Sequence, residues 1–154
     1  MVHLEIFQVA LDGRRISYHR DQIENCRYGR DPDSVILSHL AATGHAGEPR
    51  FVHSTSWRYE VDGSLVLTYL ALVDAGVAEE AGLRPLGEPT TSLPVSGSPV
   101  RPRPREIREE QVIAHGLRHL AFLEREGQVI TDQVGPQAGA WLQGLTPAPA
   151  GRIG

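Results

Sequence analysis

The chain contains no lysine; all 15 of its basic residues are arginine. Arginine at ordinary surface positions reads as the codon bias of a G+C-rich bacterial genome rather than as function. Without lysine, no Walker-type phosphate loop can be built, and no G-x-G-x-x-G run is present either. Cysteine is nearly absent too. Cys26 stands alone, which excludes an intrachain disulfide and a cysteine-based metal cluster. No G-x-S-x-G elbow offers a nucleophilic serine. There is no N-terminal apolar leader and no apolar run of about 18 residues, so a cytoplasmic, non-membrane protein is expected. A formal charge of -4 argues against broad nucleic-acid binding.

With 154 residues, 40% hydrophobic and 22% charged, the chain has the balance of one globular domain with a real core. That domain is expected over residues 1–145. Two extended runs flank Asp12-Gly13, and two more flank Asp62-Gly63; both dipeptides tolerate the positive φ of tight hairpin turns. Between the hairpins, "DPDSVILSHLAATG" carries helix signals: Asp31 as cap, Pro32 at the first position, Gly44 as stop. Val35, Ile36, Leu37, Leu40 and Thr43 predict one broad buried face. The run "LVLTYLALVD" is nearly all apolar, as a strand covered on both sides should be. Residues 84–105 hold six prolines and the basic end "RPRPR", which predicts a long surface loop and a docking segment for a protein partner. The helix after it has Ile107, Ile113, Leu117 and Leu120 as its buried stripe, and Glu109, Glu110 and Glu124 on its solvated side. A weaker segment follows, and residues 146–154 are expected to be disordered. The fold class implied is α/β or α+β, a mixed sheet with flanking helices.

The oddest stretch is "FVHSTSWRYEVDG", residues 51–63. Regular strand alternation puts His53, Thr55, Trp57 and Tyr59 on one face, and Ser54, Ser56 and Arg58 on the other. If the turn at Asp62-Gly63 has two residues, Tyr59, Trp57, Thr55 and His53 oppose Val66, Thr68, Leu70 and Leu72. An imidazole, a hydroxyl and two aromatic rings with polar handles suit a ring-bearing or polar small-molecule ligand, with Arg58 beside them. The alternative is purely architectural, since Trp and Tyr favour strands and cross-strand pairs. His115 and His119 lie four apart and share a helix face, as zinc-binding pairs do. Gly116 stands where the general base of such helices belongs, so the pair reads as two partly exposed histidines with Gly116 letting another element approach.

"GRDPDSVILSHLAATG" followed by "EPRFVHSTSWRYEVDGSLVLTYLALVD" resembles a Nudix-box helix feeding the next strands, a similarity of pattern over about residues 4–125. The resemblance implies a Nudix-like fold. In that family the end of the box, R-E-U-x-E-E-x-G-U, supplies glutamates that bind magnesium for pyrophosphate hydrolysis. Aligned on Gly44, Ala41 and Ala42 stand at the two glutamate positions, Leu37 and Ser38 at the Arg-Glu pair, and His39 at the hydrophobic position. The upstream G-x5-E is absent. Alanine offers nothing to Mg²⁺, so the resemblance implies a protein that has lost the standard site, with no metal and no cofactor. The expected function is binding of a small ligand or partner without hydrolysis. The alternative is a Nudix-type, Mg²⁺-dependent hydrolase of a nucleoside-diphosphate compound with relocated carboxylates, for which Glu79 and Glu80 in "VAEEAGL" are the available pair.

Overall fold

A computed structural model describes residues 1–13, 15–26, 29–43, 47–77, 81–86, 107–127 and 131–152. Strands β1 (Val2–Asp12) and β2 (Arg15–Cys26) form the first hairpin, closed at Asp12-Gly13 with Gly13 at φ 52°. Helix α1 (Pro32–Thr43) follows, then β3 (Phe51–Tyr59) and β4 (Leu65–Val73). Next come a single 3-10 turn at Ala75–Val77, the short β5 (Arg84–Pro85), α2 (Glu109–Arg125), α3 (Thr131–Gln143) and the short β6 (Gly151–Arg152). The sheet order is β5-β2-β1-β4-β3-β6. β1 and β4 run parallel in its centre, and antiparallel hairpin partners flank them. This is the mixed, helix-flanked α+β sheet that the sequence implies. Among the described residues, no helix is long and apolar enough to cross a membrane.

Each face of the central strands is buried against helix, which is why β4 is apolar almost throughout. Phe7, Val9, Leu70 and Leu72 meet Ile113 and Leu117 of α2 on one face, hereafter the α2 face. Leu4, Ile6, Tyr69 and Ala71 meet Ile36 and Leu40 of α1 on the other, the α1 face. Asp31 caps α1 as expected: Ser34 N–H and its hydroxyl both donate to Asp31 Oδ2, at 3.0 and 2.6 Å. α3 is kinked where Gly135 takes φ 78° ahead of Pro136, and its Leu142 completes the core on the α2 face.

Four features depart from expectation. The second hairpin does not turn in two residues. Glu60 N–H bonds Ser64 O and Gly63 N–H bonds Glu60 O, so Tyr59 pairs with Leu65 instead of Val66. In α1 the buried face is narrower than predicted, because Leu37 is left 54% exposed. The start of the Pro-rich segment is ordered: Arg84 and Pro85 pair with Tyr18 and Ser17, and Leu86 N–H bonds Ile16 O. The rest of that loop, with Arg101, Arg103 and Arg105, lies outside the described residues. Finally, much of the chain after 145 is tied down where disorder was expected. Ala148 N–H donates to Arg118 O, Arg118 Nε donates to Thr146 O, and Gly151–Arg152 pairs with β3. A backbone that finds partners on α2 and on a sheet edge has reason to order, whatever its composition.

α2 crosses the sheet closely at Gly116. A Cβ there would stand 2.8 Å from Leu70 Cδ1 and 3.4 Å from Thr55 Oγ1. Gly116→Val should therefore overpack this crossing and cost about 1–3 kcal/mol, read as a lower urea midpoint at unchanged m-value. A variant as stable as wild type would mean that the helix can lift away freely.

Candidate functional site

β3 carries a β-bulge at Thr55. Ser54 pairs with Tyr69 but Ser56 pairs with Thr68, so one residue on β3 has no counterpart on β4. An extra residue reverses the alternation beyond it. The expected single row of His53, Thr55, Trp57 and Tyr59 is thereby split. His53 and Thr55 lie on the α2 face, where the His53 ring stacks on His119 at 5.3 Å and Thr55 sits against Gly116. Arg58, expected on the other side, joins them there. Trp57 and Tyr59 lie on the α1 face, paired with Leu67 and Leu65, their rings edge-on at 5.8 Å. They are 37% and 47% exposed.

On the α2 face the polar groups are buried and engaged with one another. Arg58 makes a bidentate pair with Glu5, Nη1 to Oε1 at 2.7 Å and Nη2 to Oε2 at 3.1 Å, and its Nε donates to Glu60 at 3.0 Å. Arg20 Nη2 lies 2.6 Å from Glu5 Oε2, and its Nη1 donates to Glu109 at 3.1 Å. Tyr18 donates to Glu109 at 2.7 Å, and Arg84 pairs with the same carboxylate. Glu109 is thus a tie between α2 and the sheet rather than a solvated residue. Burial alone would raise the Glu5 pKa; hydrogen bonds and charge from Arg58, with Arg20 and Thr68, outweigh it and hold it below 4.5. Burial and the bond to Glu109 push Tyr18 up to about 12. Most of its donors and acceptors are engaged internally, with Arg20 Nε left without a partner among the described residues, and the network reads as structural. It fixes Arg58 and leaves it little to offer a ligand.

His115 and His119 are not the partly exposed pair expected; they are 5% and 4% exposed. Among the described residues their ring nitrogens meet only main chain, that of Thr55 at His115 and that of Ala148 at His119, and neither contact has good hydrogen-bond geometry. Burial lowers the pKa of both. Arg118 adds to the effect at His115, as His53 and His115 do at His119, while the neighbouring main chain of Thr55 and Ala148 offsets only part. His53 is lowered as well by burial, against a weak opposing pull from Asp33. Among the described residues, no three His, Cys, Asp or Glu side chains are placed to hold a metal ion.

One open space lies beside the first part of β3, at the edge of the sheet. A cavity of about 800 Å³ is bounded by α1, by residues 47–50, by the first part of β3 and by Gln133. Its apolar walls include Leu37, Leu40, Ala41, Pro49, Phe51 and Val52; Glu48, Arg50 and Gln133 are its polar groups. A smaller cavity of about 190 Å³ shares Leu37 and Val52 with it and continues along β3 to Ser54. His53, at the strand edge, borders this second space. Its far end is closed by Tyr69, whose hydroxyl donates to Asp33; burial and that carboxylate raise the Tyr69 pKa. None of Thr55, Arg58, Trp57 or Tyr59 lines either cavity, but Thr55 and Trp57 line a further space of about 160 Å³ with Ser54, Ser56, Ala150 and Gly151. Of the residues that the sequence singles out for a ligand, His53 borders the second cavity, while Leu37, Ala41, Arg50, Phe51 and Val52 were not named for the site. "GEPR" before Phe51 reads as a connection, and only the exposed Leu37 hints that α1 leaves a gap. Glu79 and Glu80 lie outside the described residues.

The chain matches no family model, and neither a curated protein nor a solved structure matches it significantly.

Two predictions follow from the two faces of β3. Histidines with lowered native pKa bind fewer protons folded than unfolded. Their contribution to stability is present above the unfolded value of about 6.5 and lost as pH falls through the depressed native values. Urea midpoints should therefore drop on acidification below about pH 6.5, before the more acidic window in which Glu5, held below the ordinary carboxylate range, takes up its proton. His119→Leu should flatten that drop; a wild type with a level midpoint across the window would contradict the burial of the imidazoles. On the opposite face, Trp57→Ala should cost about 1 kcal/mol in thermal or urea melts, not the ~3–5 kcal/mol of a core aromatic.

Proposed function

We propose that this protein binds a small, largely apolar molecule in the cavity between α1 and β3, without hydrolysing it. The cavity itself carries the reading. Its volume of about 800 Å³ falls in the range of small-molecule sites, and its apolar walls with a few polar groups at the rim match their chemistry. The Nudix resemblance leads to the same place from the sequence side. Ala41, which stands at one of that family's glutamate positions, faces the cavity with a methyl group. A carboxylate there would invite a cation; an alanine widens an apolar wall.

A neutral apolar fluorophore such as Nile red tests this directly. Wild type should enhance its fluorescence saturably. Ala41→Trp, a substitution at an exposed helix position, should fill the space and abolish the enhancement while leaving the melting temperature within a few degrees. No saturable signal from wild type, or full signal from Ala41→Trp, would refute the assignment. Mg²⁺-dependent release of phosphate or nucleoside monophosphate from ADP-ribose, NADH or a diadenosine substrate would instead support the hydrolase alternative.

A further inference from the structure

We infer that residues 146–152 form an acid-released strap. It closes over His119 while that imidazole is neutral and lifts from α2 and β3 once the ring takes up a proton, ahead of global unfolding. The strap is thinly attached. Arg118 Nε donates to Thr146 O at 2.8 Å, and Ala148 N–H donates to Arg118 O at 3.0 Å. Gly151 and Arg152 pair with Ser56 and Trp57 at the outer edge of β3. Ala148 is the one buried residue from Thr146 to Gly151, and Pro147 and Pro149 bring no N–H to the pairing. A segment held by a few main-chain bonds and one methyl group opens at far lower cost than the core.

What the strap closes over is a group that resists charge. The buried His119 ring stacks with His53 at 5.3 Å and with Phe122 at 6.2 Å. A protonated imidazole needs acceptors for two N–H groups. Here the ring nitrogens meet only the Ala148 main chain of the strap, without good hydrogen-bond geometry. Its titratable neighbours do not invite a proton. His53 from β3 and His115 from α2 act on His119 directly, Arg118 acts on His115, and each opposes a further positive charge. Asp33, from α1, pulls on His53; no carboxylate among the described residues acts on His119. From Thr146 to Gly151 the strap itself has no ionisable side chain. The Ala148 main chain favours the charged ring but offsets only part of the cost of burial. Lifting the strap brings water to the ring, which removes that cost without unfolding the sheet. The same movement frees the β3 edge at Ser56 and Trp57 for pairing with another strand.

Hydrogen exchange at the Ala148 amide, whose N–H is bonded to Arg118 O, reads the strap directly. An imidazole that binds its proton only in the open form favours opening by about tenfold for each pH unit below about 6.5. Corrected for the intrinsic rate, Ala148 protection should therefore fall about tenfold between about pH 7.5 and about pH 5.5. Low concentrations of urea should leave this exchange unchanged, as befits a local opening, while amides of β1 and β4 exchange through urea-sensitive unfolding. In His119→Leu the fall should vanish. His119→Gln, polar but uncharged, should lose it too, which separates the charge from the fit of the leucine. An Ala148 amide already unprotected at the higher pH, or equally protected at both, overturns the strap. So does a fall with the urea sensitivity of β1 and β4, or one that survives in either folded variant.

Discussion

The extra residue in β3 at Thr55 governs how the rest of the molecule is arranged. Two helices compete for the two faces of one sheet, and β3 serves both. Up to Ser54 its alternation sends Phe51 and His53 toward α2 and leaves Val52 and Ser54 toward α1. Past the bulge the order reverses, so Arg58 arrives beside Glu5 and Thr68. Without the reversal, Arg58 would emerge on the α1 face and Glu5 would lose its bidentate partner. Arg20 and Thr68 alone would then be left to offset the cost of burying that carboxylate. The bulge and the ion network thus require each other. Gly116 completes the arrangement, because Thr55 and Leu70 fill the space its missing side chain leaves.

The consequence is a division of labour between the faces. The α2 face carries an ion network at one end, two buried imidazoles in the middle, and the segment around Ala148 laid along α2. The α1 face is incompletely covered. α1 buries only Ile36 and Leu40, so its cover stops short of β3, and the gap is bounded by Leu37, Ala41, Phe51 and Val52. A helix with a wider apolar stripe would have lain flat across β3 and left no cavity.

Much of this architecture was legible in the sequence, for reasons that are local. Asp-Gly turns, the Asp31–Pro32 helix start, the Gly116 close approach and the two-sided apolar run of β4 are each encoded within a few residues. The candidate site was less legible because its determinants are not local. Nothing in "HSTSW" marks which residue is the extra one; that residue, Thr55, packs against Gly116 on a helix about 60 residues further along. The burial of His115 and His119 could not be read from helical spacing alone, since their surroundings, β3 and the segment around Ala148, are distant in sequence. Composition misled in the same way at the tail. A string of Pro, Ala and Gly lacks a core pattern of its own, yet it supplies the N–H that satisfies Arg118 O.

The same distinction bears on function. Trp57, Tyr59 and Arg58 drew attention as the residue types that bind ligands, but type is a weak guide when register is unknown. Arg58 is consumed by Glu5 and Glu60, and the two aromatics sit past the bulge, away from the space. What marks the cavity is instead a set of unremarkable residues, an alanine, a leucine left exposed and an arginine at a strand entry, each made significant by where the backbone puts it. Arg50 and Arg58 are only eight positions apart on nearly one strand, yet their circumstances are opposite. Arg58 has its guanidinium nitrogens tied to acceptors and is buried. Arg50 is exposed, with Nε and Nη2 on Asp74 and Nη1 against Gly135. Register and partners, rather than residue type, separate the two arginines.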